Sequence, residues 1–527
     1  MTSKKTTFCN FIIKLYTNLP ENGKGEIGVA VSKLIIKETP FFSCYNSVML
    51  KKVLITTAID YTNDVIHIGH LYQKVLADCY ARYYRDLIGK ENVRFLTGTD
   101  EHGQNIERAA IEKGKTPKDF VDEISTLDKK EQVSLNISYD RFIRTTDDDH
   151  KKTAGEFFEK VYKAGFIYKA KYTGFYCEGC EEYKTEKGLV NGKCEYHPTK
   201  EIKKLSEENY FFKWSAFQDF LKEHFAKNPD FVIPRSKHNE MKSFLEQGIN
   251  DIPISRPALK WGIPLPIDKT QVIYVWFDAL INYYTYGKPI GFWDKDTKII
   301  HFLGKDNTRW HALLWPAMLK AAGRRVPDTI YVNSFLSLNG QKISKSLGNI
   351  IKASELTEKF GTDAVRYYLL KYGPLLEDAD ISLEKIKEVY NSELANNLGN
   401  LVSRVSKLAE GWGVNKNQSA SWRINVKSKT ENVKAEMQKY IEEYRSDLAL
   451  QEAQIYLSKL NKYVQEKRPW EKGGKERMEI MEPIIADLIH LAGLLKPFMP
   501  ETAEKIEKIF TVKVITASEP LFRKIRG

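Results

Sequence analysis

The sequence predicts an α/β fold: a doubly wound parallel sheet split by a cysteine-bearing insertion and followed by an all-helical tail. Three features carry this expectation. A short β-branched run, Val53 to Thr57, leads through a loop into a helical pattern from about Gly69 to Tyr84. A second run, Val93 to Gly98, follows, and strand–helix–strand is the unit of a doubly wound sheet. From about Tyr168 to Lys204 cysteines, glycines and charges crowd together and break that pattern. Beyond about residue 384, Ile386, Val389, Tyr390, Leu394, Leu398, Leu401, Val402, Val405 and Leu408 keep the three-and-four spacing of an amphipathic helix.

At 527 residues the chain is too long for one core, so several domains are expected. The expected division is an extension over 1–48, a first half of the α/β domain over 49–165, an insertion over 166–253, a second half over 254–383 and a helical domain over 384–527. Residues 104–165 read as helical, and runs at 272–276, 299–303 and 329–332 are expected to complete the parallel sheet. Further helical patterns span about 428–467 and 475–497, with Pro469-Trp470 ending one of them.

Residues 1–48 carry Lys4, Lys5 and an apolar stretch from Phe8 to Tyr16. Lys14 interrupts that stretch and no small-residue cleavage site follows. An extension, or a true start at Met49, is the expected reading. An apolar fraction of 42% and a charged fraction of 28% are those of a globular protein, and no apolar run reaches the length of a membrane span. A net charge of +12 suits a polyanionic partner without naming one. Six cysteines in so long a chain fit a cytoplasmic protein, not a disulfide scaffold.

His67-Ile68-Gly69-His70 sits where the loop after the first strand enters a helix. Free backbone N–H groups and the positive end of the helix dipole make that point a phosphate site. Two imidazoles three residues apart share a helical face and can both donate to phosphate oxygens, while Gly69 leaves room for a base. Lys342-Ile343-Ser344-Lys345-Ser346 follows the last expected strand on a glycine-flanked loop. Its lysines can close over a triphosphate and neutralise departing pyrophosphate. A lone lysine pair is ordinarily a solvated loop; its pairing with a second strand-end motif argues against that here.

Cys177-Glu178-Gly179-Cys180 and Cys194-Glu195-Tyr196-His197 form two close ligand pairs. A closed S₃N set favours zinc, and with no open coordination position the ion is structural; one Zn²⁺ is expected. In the tail, Asn400 and Arg404 share a polar row beside the apolar stripe, and Trp470 stands at a helix end where an indole can stack on an unpaired base. An interhelical amide and a bundle anchor are the plainer readings of these residues taken alone.

Together these segments identify a family. The two phosphate motifs resemble the HIGH and KMSKS signatures of class I aminoacyl-tRNA synthetases. The stretches from Thr56 to His70, Gly98 to Gly103, Ile254 to Pro257, Tyr274 to Ala279 and Gly304 to Asp306 resemble methionyl-tRNA synthetases specifically, over about residue 50 to the C-terminus. The resemblance implies a Rossmann-like catalytic domain split by a zinc-knuckle connective insertion, followed by a helical anticodon-binding bundle. It implies that L-methionine is activated with Mg²⁺-ATP and passed to tRNA(Met). His67, His70, Lys342 and Lys345 would stabilise the transition state; with Gly69, Gly304, Asp306 and Ser344 they would hold ATP. Ala58, Ile59, Tyr61, Trp276, Ala279, Tyr283 and His311 would line the methionine pocket, where aromatic faces suit a thioether. Asp100 would take the ammonium group and Arg256 would balance carboxylate or phosphate charge. The knuckle would shape the approach of the tRNA acceptor end, and Asn400, Arg404, Pro469 and Trp470 would read the anticodon.

Several positions depart from the family's habit. Asp60 stands where Pro or Tyr is usual, Asn307 where an apolar residue is frequent, Asn333-Ser334 where His-Gly is frequent, and Ile343 replaces Met. None removes a charge needed for adenylation. The rivals are synthetases for leucine, isoleucine, valine or cysteine and a HIGH-bearing nucleotidyltransferase. The span between the sheet halves is too short for an editing domain, a cysteine enzyme would carry its zinc at the amino-acid site, and a nucleotidyltransferase has no reason for the helical tail. No appended domain is apparent after the bundle, so a monomer is expected.

Overall fold

The structure, a computed structural model, describes residues 51–179, 181–184, 189–195, 200–257, 259–343, 349–411 and 427–526. The expected extension over 1–48 lies outside them, as do Cys180, His197, Ser344 and Lys345. At the centre is a seven-stranded sheet. Its strands are β1 (Lys52–Thr57), β2 (Asp60–Tyr61), β3 (Val93–Asp100), β4 (Arg141–Arg144), β5 (Val232–Ile233), β6 (Thr297–Gly304) and β7 (Thr329–Asn333). The order is β5-β7-β6-β1-β3, with β2 and β4 both paired to β3, and each of these pairings is parallel. Ile55 lies opposite Phe95 on one side and Ile300 on the other, all fully buried, as expected of a sheet covered on both faces.

The chain passes from β1 to β3 on one side and only later returns to β6 on the other. The order therefore reverses between β1 and β6, and in open α/β sheets ligands bind at the carboxyl ends of the strands at such a point. Here those ends are Thr57 and Gly304.

Helix α1 (Ile68–Ile88) crosses from β1 towards β3, and every residue from Leu71 to Ala81 is buried. Its sequence therefore lacks the solvated face of an ordinary surface helix. Buried on α1, Asp78 meets the fully buried Arg366 of helix α2 (Thr362–Tyr372) at 2.8 Å. Arg366 also donates to the carbonyls of Leu135, Phe498 and Pro497 at 3.0, 3.0 and 3.1 Å. Burial opposes ionisation of Asp78, but Arg366 and Arg82 outweigh it and hold the carboxyl below its usual range.

The tail is mostly helical as far as Phe510, and residues 511–526 follow without helix. Leu383–Val389 continues through a wide π-helical stretch, Tyr390–Gly399, into α3 (Asn400–Leu408). After Lys427–Glu442 come α4 (Ser446–Lys467), α5 (Gly474–Leu495) and α6 (Pro500–Phe510). The helical pattern expected over about 428–467 is divided at Tyr444, whose left-handed backbone (φ 59°) turns its ring into the catalytic domain. There it stacks on Tyr80 at 5.2 Å and Tyr331 at 5.3 Å. A positive φ on an aromatic residue costs on the order of 1 kcal/mol, which such stacking offsets.

Three expectations are corrected. Only Val272–Ile273 of the run 272–276 is strand, and it pairs antiparallel with Ser255–Arg256 outside the main sheet. Val275–Ala279 is helix; a short run buried on all sides has no periodicity to separate helix from strand. Arg141–Arg144 is a strand within the stretch read as helical. The span 166–253 is not insertion throughout: Ile167–Cys177, Glu182–Lys184, Ile202–Phe212 and Ile252–Pro253 form a separate antiparallel sheet, whereas Val232–Ile233 joins the parallel one as β5. A two-residue edge strand is too short to leave a sequence pattern. No helix among the described residues is long and apolar enough to cross a membrane.

Arg366→Met should destabilise the fold by about 3–5 kcal/mol, because it leaves the Asp78 carboxylate buried without its main cationic partner. Urea unfolding followed by circular dichroism measures this.

Candidate active site

The loop after β1 brings His67 to the N-cap of α1. Gly69 N–H donates to His67 Nδ1 at 3.1 Å, and His67 N–H donates to His70 Nδ1 at 3.3 Å. Both Nδ1 atoms are therefore acceptors, which leaves each neutral ring its proton on Nε2, available to an anion. The rings lie 4.0 Å apart. Dehydration among the surrounding protein atoms lowers His67 to about 3, helped by His70 and by Lys342. His70 is open to solvent yet hemmed in by protein atoms, as on the floor of a cleft, and falls to about 4 through dehydration and the Lys74 ammonium. The two rings are thus neutral donors near pH 7, not cations.

The other phosphate motif meets the first directly. Lys342 ends a hairpin with Leu336–Leu338 whose turn residues Asn339 and Gly340 take φ of 50° and 75°. Beyond it the Ile351 carbonyl accepts Ile68 N–H at 3.2 Å, tying the chain after the lysine loop to the start of α1. A Cβ added at Gly69 would lie 3.9 Å from Ile343 Cδ1 but only 2.9 Å from His67 Cε1, so a side chain there would push the imidazole away. At the end of β6, a Cβ on Gly304 would lie 2.9 Å from Asp306 Oδ1. Dehydration raises the Asp306 carboxyl, while Lys342 and Lys305 pull against it. Lys342 therefore feels both His67 and Asp306, and these groups converge on the switch point between β1 and β6.

Across from them is a second cluster. Asp100 ends β3, and its buried Oδ1 has no hydrogen-bond partner. Burial and the nearby Asp278 and Glu181 carboxylates hold its carboxyl well above the usual range, an arrangement relieved by a cation such as an ammonium group. Tyr283 donates to His311 Nε2 at 2.7 Å, and His311 Nδ1 donates to the Asn307 carbonyl at 3.0 Å, with burial lowering His311 to about 4. The backbone of Asn307, a position noted for departing from the family's usual apolar residue, thus orients the His311 ring. Trp276 stacks on Trp310 at 5.0 Å, while Ala58 and Ala279 are buried and Ile59 and Tyr61 are partly so. Arg256 borders this cluster on the Glu181 side: its guanidinium lies 4.3 Å over the Tyr274 ring and Nη1 donates to the Ser255 carbonyl at 2.8 Å.

The family model described as tRNA synthetases class I (M) matches residues 53–204 and 185–406. Methionine–tRNA ligase of Caldanaerobacter subterraneus is 39% identical over 491 residues, 90% of this chain and 76% of that one. The Nostoc enzyme of the same name is 37% identical, covering 86% and 89%. A solved structure of Mycobacterium tuberculosis methionyl-tRNA synthetase bound by methionyl-adenylate superposes with a TM-score of 0.80 at 31% identity, covering 90% of this chain and all of that one. The chain belongs to the class I tRNA synthetases of the methionine type. Its parallel sheet and surrounding helices are those of that family.

Of the four expected knuckle ligands, Cys177 ends a strand and Cys194 ends another, and both are buried. Cys180 and His197 lie outside the described residues. Among the described residues no group of three or more metal-ligating side chains is assembled. In the tail, the fold brings Arg404 of α3 to 5.9 Å from the Trp470 ring. Arg404 also donates weakly to Gln465 at 3.5 Å, and Trp470 remains 38% exposed. Pro469 is buried, Asn400 is exposed, and Arg468 before them adopts φ 45°, turning the chain as α4 ends.

Sequence reasoning missed several groups. Asp60, noted as a departure, is paired within the protein with the buried Lys74 at 2.8 Å, and Lys74 also donates to the Ala58 carbonyl at 3.2 Å. Burial outweighs Lys74 and leaves the Asp60 carboxyl raised. The signal was a lysine one turn beyond His70 and one turn before Asp78, within the stretch of the helix that is buried from Leu71 to Ala81. Asp278, between His102 Nδ1 and His150 Nε2 at 2.7 Å each, was equally hidden, because its partners are far apart in sequence. Burial opposes its ionisation, but the two imidazoles hold its carboxyl below the usual range.

In histidine NMR titrations of the free protein, His67 and His70 should show no protonation between pH 6 and 8 and should titrate near 3 and 4. Their lowered values contribute stability that is full above about pH 6.5 and is lost as pH falls through the folded values. Added ATP should raise both, since phosphate favours the imidazolium form.

Proposed function

We propose that the chain is an ATP-dependent methionine–tRNA ligase. The observation that carries this is the convergence of His67, His70, Lys342 and Asp306 at one end of the switch point, facing the unpartnered Asp100 oxygen and the Trp276–His311 pocket. A methionine carboxylate oxygen attacks the α-phosphorus of Mg²⁺-ATP, an O–P bond forms, and the bond to pyrophosphate breaks. The 3′-terminal ribose hydroxyl of tRNA(Met) then attacks the carbonyl of the methionyl-adenylate, releasing AMP. No side chain acts as nucleophile, because the substrates supply both.

The protein's part is positioning and charge stabilisation. Nε2–H of His67 and His70 donate to phosphate oxygens, and Lys342 with Lys345 neutralises the leaving pyrophosphate. Gly69 and Gly304 keep the nucleotide's approach open, Ser344 adds a hydroxyl on the loop, and Asp306 accepts from the ribose. Asp100 takes the substrate ammonium. Ala58, Ile59, Tyr61, Trp276, Ala279, Tyr283 and His311 surround the thioether. Arg256, caged among tyrosines, acts at the pocket's edge by its field.

Cys177, Cys180, Cys194 and His197 would hold one zinc ion, which would close the knuckle of the connective insertion; burial of Cys177 and Cys194 at strand ends supports this. The segment 384–527 is read as the anticodon-binding domain, with Asn400, Arg404, Pro469 and Trp470 contacting bases. Its support is the meeting of Arg404 and Trp470. We take the enzyme to work as a monomer in the cytoplasm, where knuckle thiolates stay reduced.

Pyrophosphate exchange across all amino acids should run with methionine, and no exchange with methionine would sink the assignment. Lys342→Ala should slow that exchange about 100-fold or more. Trp470→Ala should spare it and lower kcat/KM for tRNA by roughly 5- to 150-fold, the value of one base stacked on an aromatic ring; equal loss in both assays would refute the anticodon role. Purified protein should carry one zinc per chain by elemental analysis, and Cys177→Ala should release it.

A further inference from the structure

One side chain crosses from the insertion into the catalytic half. Glu181 directly follows Cys180 and precedes the insertion strand Glu182–Lys184, its backbone in the left-handed region at φ 52°. Its carboxylate is nevertheless buried against β2 and the start of helix Gln104–Glu112. Glu181 Oε1 accepts the Tyr61 hydroxyl at 3.0 Å and also the backbone N–H of Asn105. Gly103, at φ 121°, forms the floor beneath the pair, and a Cβ there would overlap both the Tyr61 hydroxyl and the Glu181 carboxylate. From the other side, Arg256 Nη2 donates to the Glu181 carbonyl at 3.4 Å, and the guanidinium lies within 5.7 Å of Tyr176 and 5.4 Å of Tyr183, both insertion residues.

A buried carboxylate is costly unless donors meet it, and one of the two donors here is the hydroxyl of a pocket tyrosine. That contact fixes the hydroxyl end of Tyr61, a residue on a two-residue edge strand whose ring otherwise rests only on apolar packing. We propose that Glu181 is a positioning residue for the amino-acid pocket: reaching over from the insertion, it holds the Tyr61 ring against the methionine side chain, so that methionine affinity depends on how the insertion is seated. This rests on the assignment of Tyr61 to the methionine pocket made above.

The test uses the full chain and methionine-dependent pyrophosphate exchange. Glu181→Ala should raise the KM for methionine about tenfold, the loss of one hydrogen bond to a charged group, with the KM for ATP changed less than about twofold. Glu181→Gln, which keeps an acceptor oxygen for both donors, should restore most of the affinity. Tyr61→Phe should match Glu181→Ala, and the double variant should be no worse than either, because both remove the same contact. An unchanged methionine KM in Glu181→Ala, an equal rise for ATP, or multiplied effects in the double variant would overturn the proposal. Tyr61→Phe keeps the ring and covers the case in which Glu181→Ala does not fold: an unchanged methionine KM there overturns it equally. Absence of exchange with methionine in the unaltered protein would strike the function proposed above instead, and the same comparison would be made with the amino acid that does support exchange.

Discussion

Helix α1 begins at His67 and His70 and, two turns later, places Asp78 against the buried guanidinium of Arg366. Arg366 in turn gathers the carbonyls of Leu135, Pro497 and Phe498, so one ion pair joins the first half of the catalytic domain, helix α2 and the tail just before α6. Buried charges tolerate little displacement, because each lost partner exposes an uncompensated charge to a poorly polarisable surround. The imidazoles at the helix start therefore inherit their position from contacts far from the chemistry. Tyr444 reinforces the same junction from the tail by stacking on Tyr80 of α1 and Tyr331 of β7.

The site divides into two electrostatic halves. Around the proposed phosphate position the imidazoles are neutral and the positive charge comes from Lys342. Around the proposed amino-acid position the carboxylates are crowded: Asp278 and Glu181 raise the cost of ionising Asp100, and Asp278 is satisfied by His102 and His150 while Asp100 keeps one oxygen without a partner. A substrate ammonium answers that imbalance, and a neutral ligand of the same shape does not. Lys74 and Asp60 lie between the halves, linking the loop that carries Ala58 and Tyr61 to the helix that carries His70.

Much was legible in the chain itself, and the reason differs by element. Strands β1, β3, β6 and β7 are continuous β-branched or apolar runs because both faces of the sheet are covered, so they stood out. Strands of two residues, such as Asp60–Tyr61 and Val232–Ile233, leave no period to read, and the run 272–276 was mistaken because helix Val275–Ala279 is short and buried at every residue but Trp276. The histidine and lysine motifs were legible as motifs because each is contiguous. Glu181, Asp278, His102, His150 and Lys74 were not, because each gains its meaning from a partner between 14 and 176 positions away.

By itself the sequence determined the class of fold, the two strand-end motifs, the spacing of the cysteine and histidine pairs and the helical tail, since each is a local pattern set by periodicity, spacing or charge within a few residues. Only the tertiary structure decided that Gly69 lies beside Ile343, that Arg404 meets Trp470, and that an insertion residue grips Tyr61. Those contacts follow from the order of strands in the sheet and the burial of α1, which bring distant segments to one edge, and no local property of the chain encodes a distance between segments.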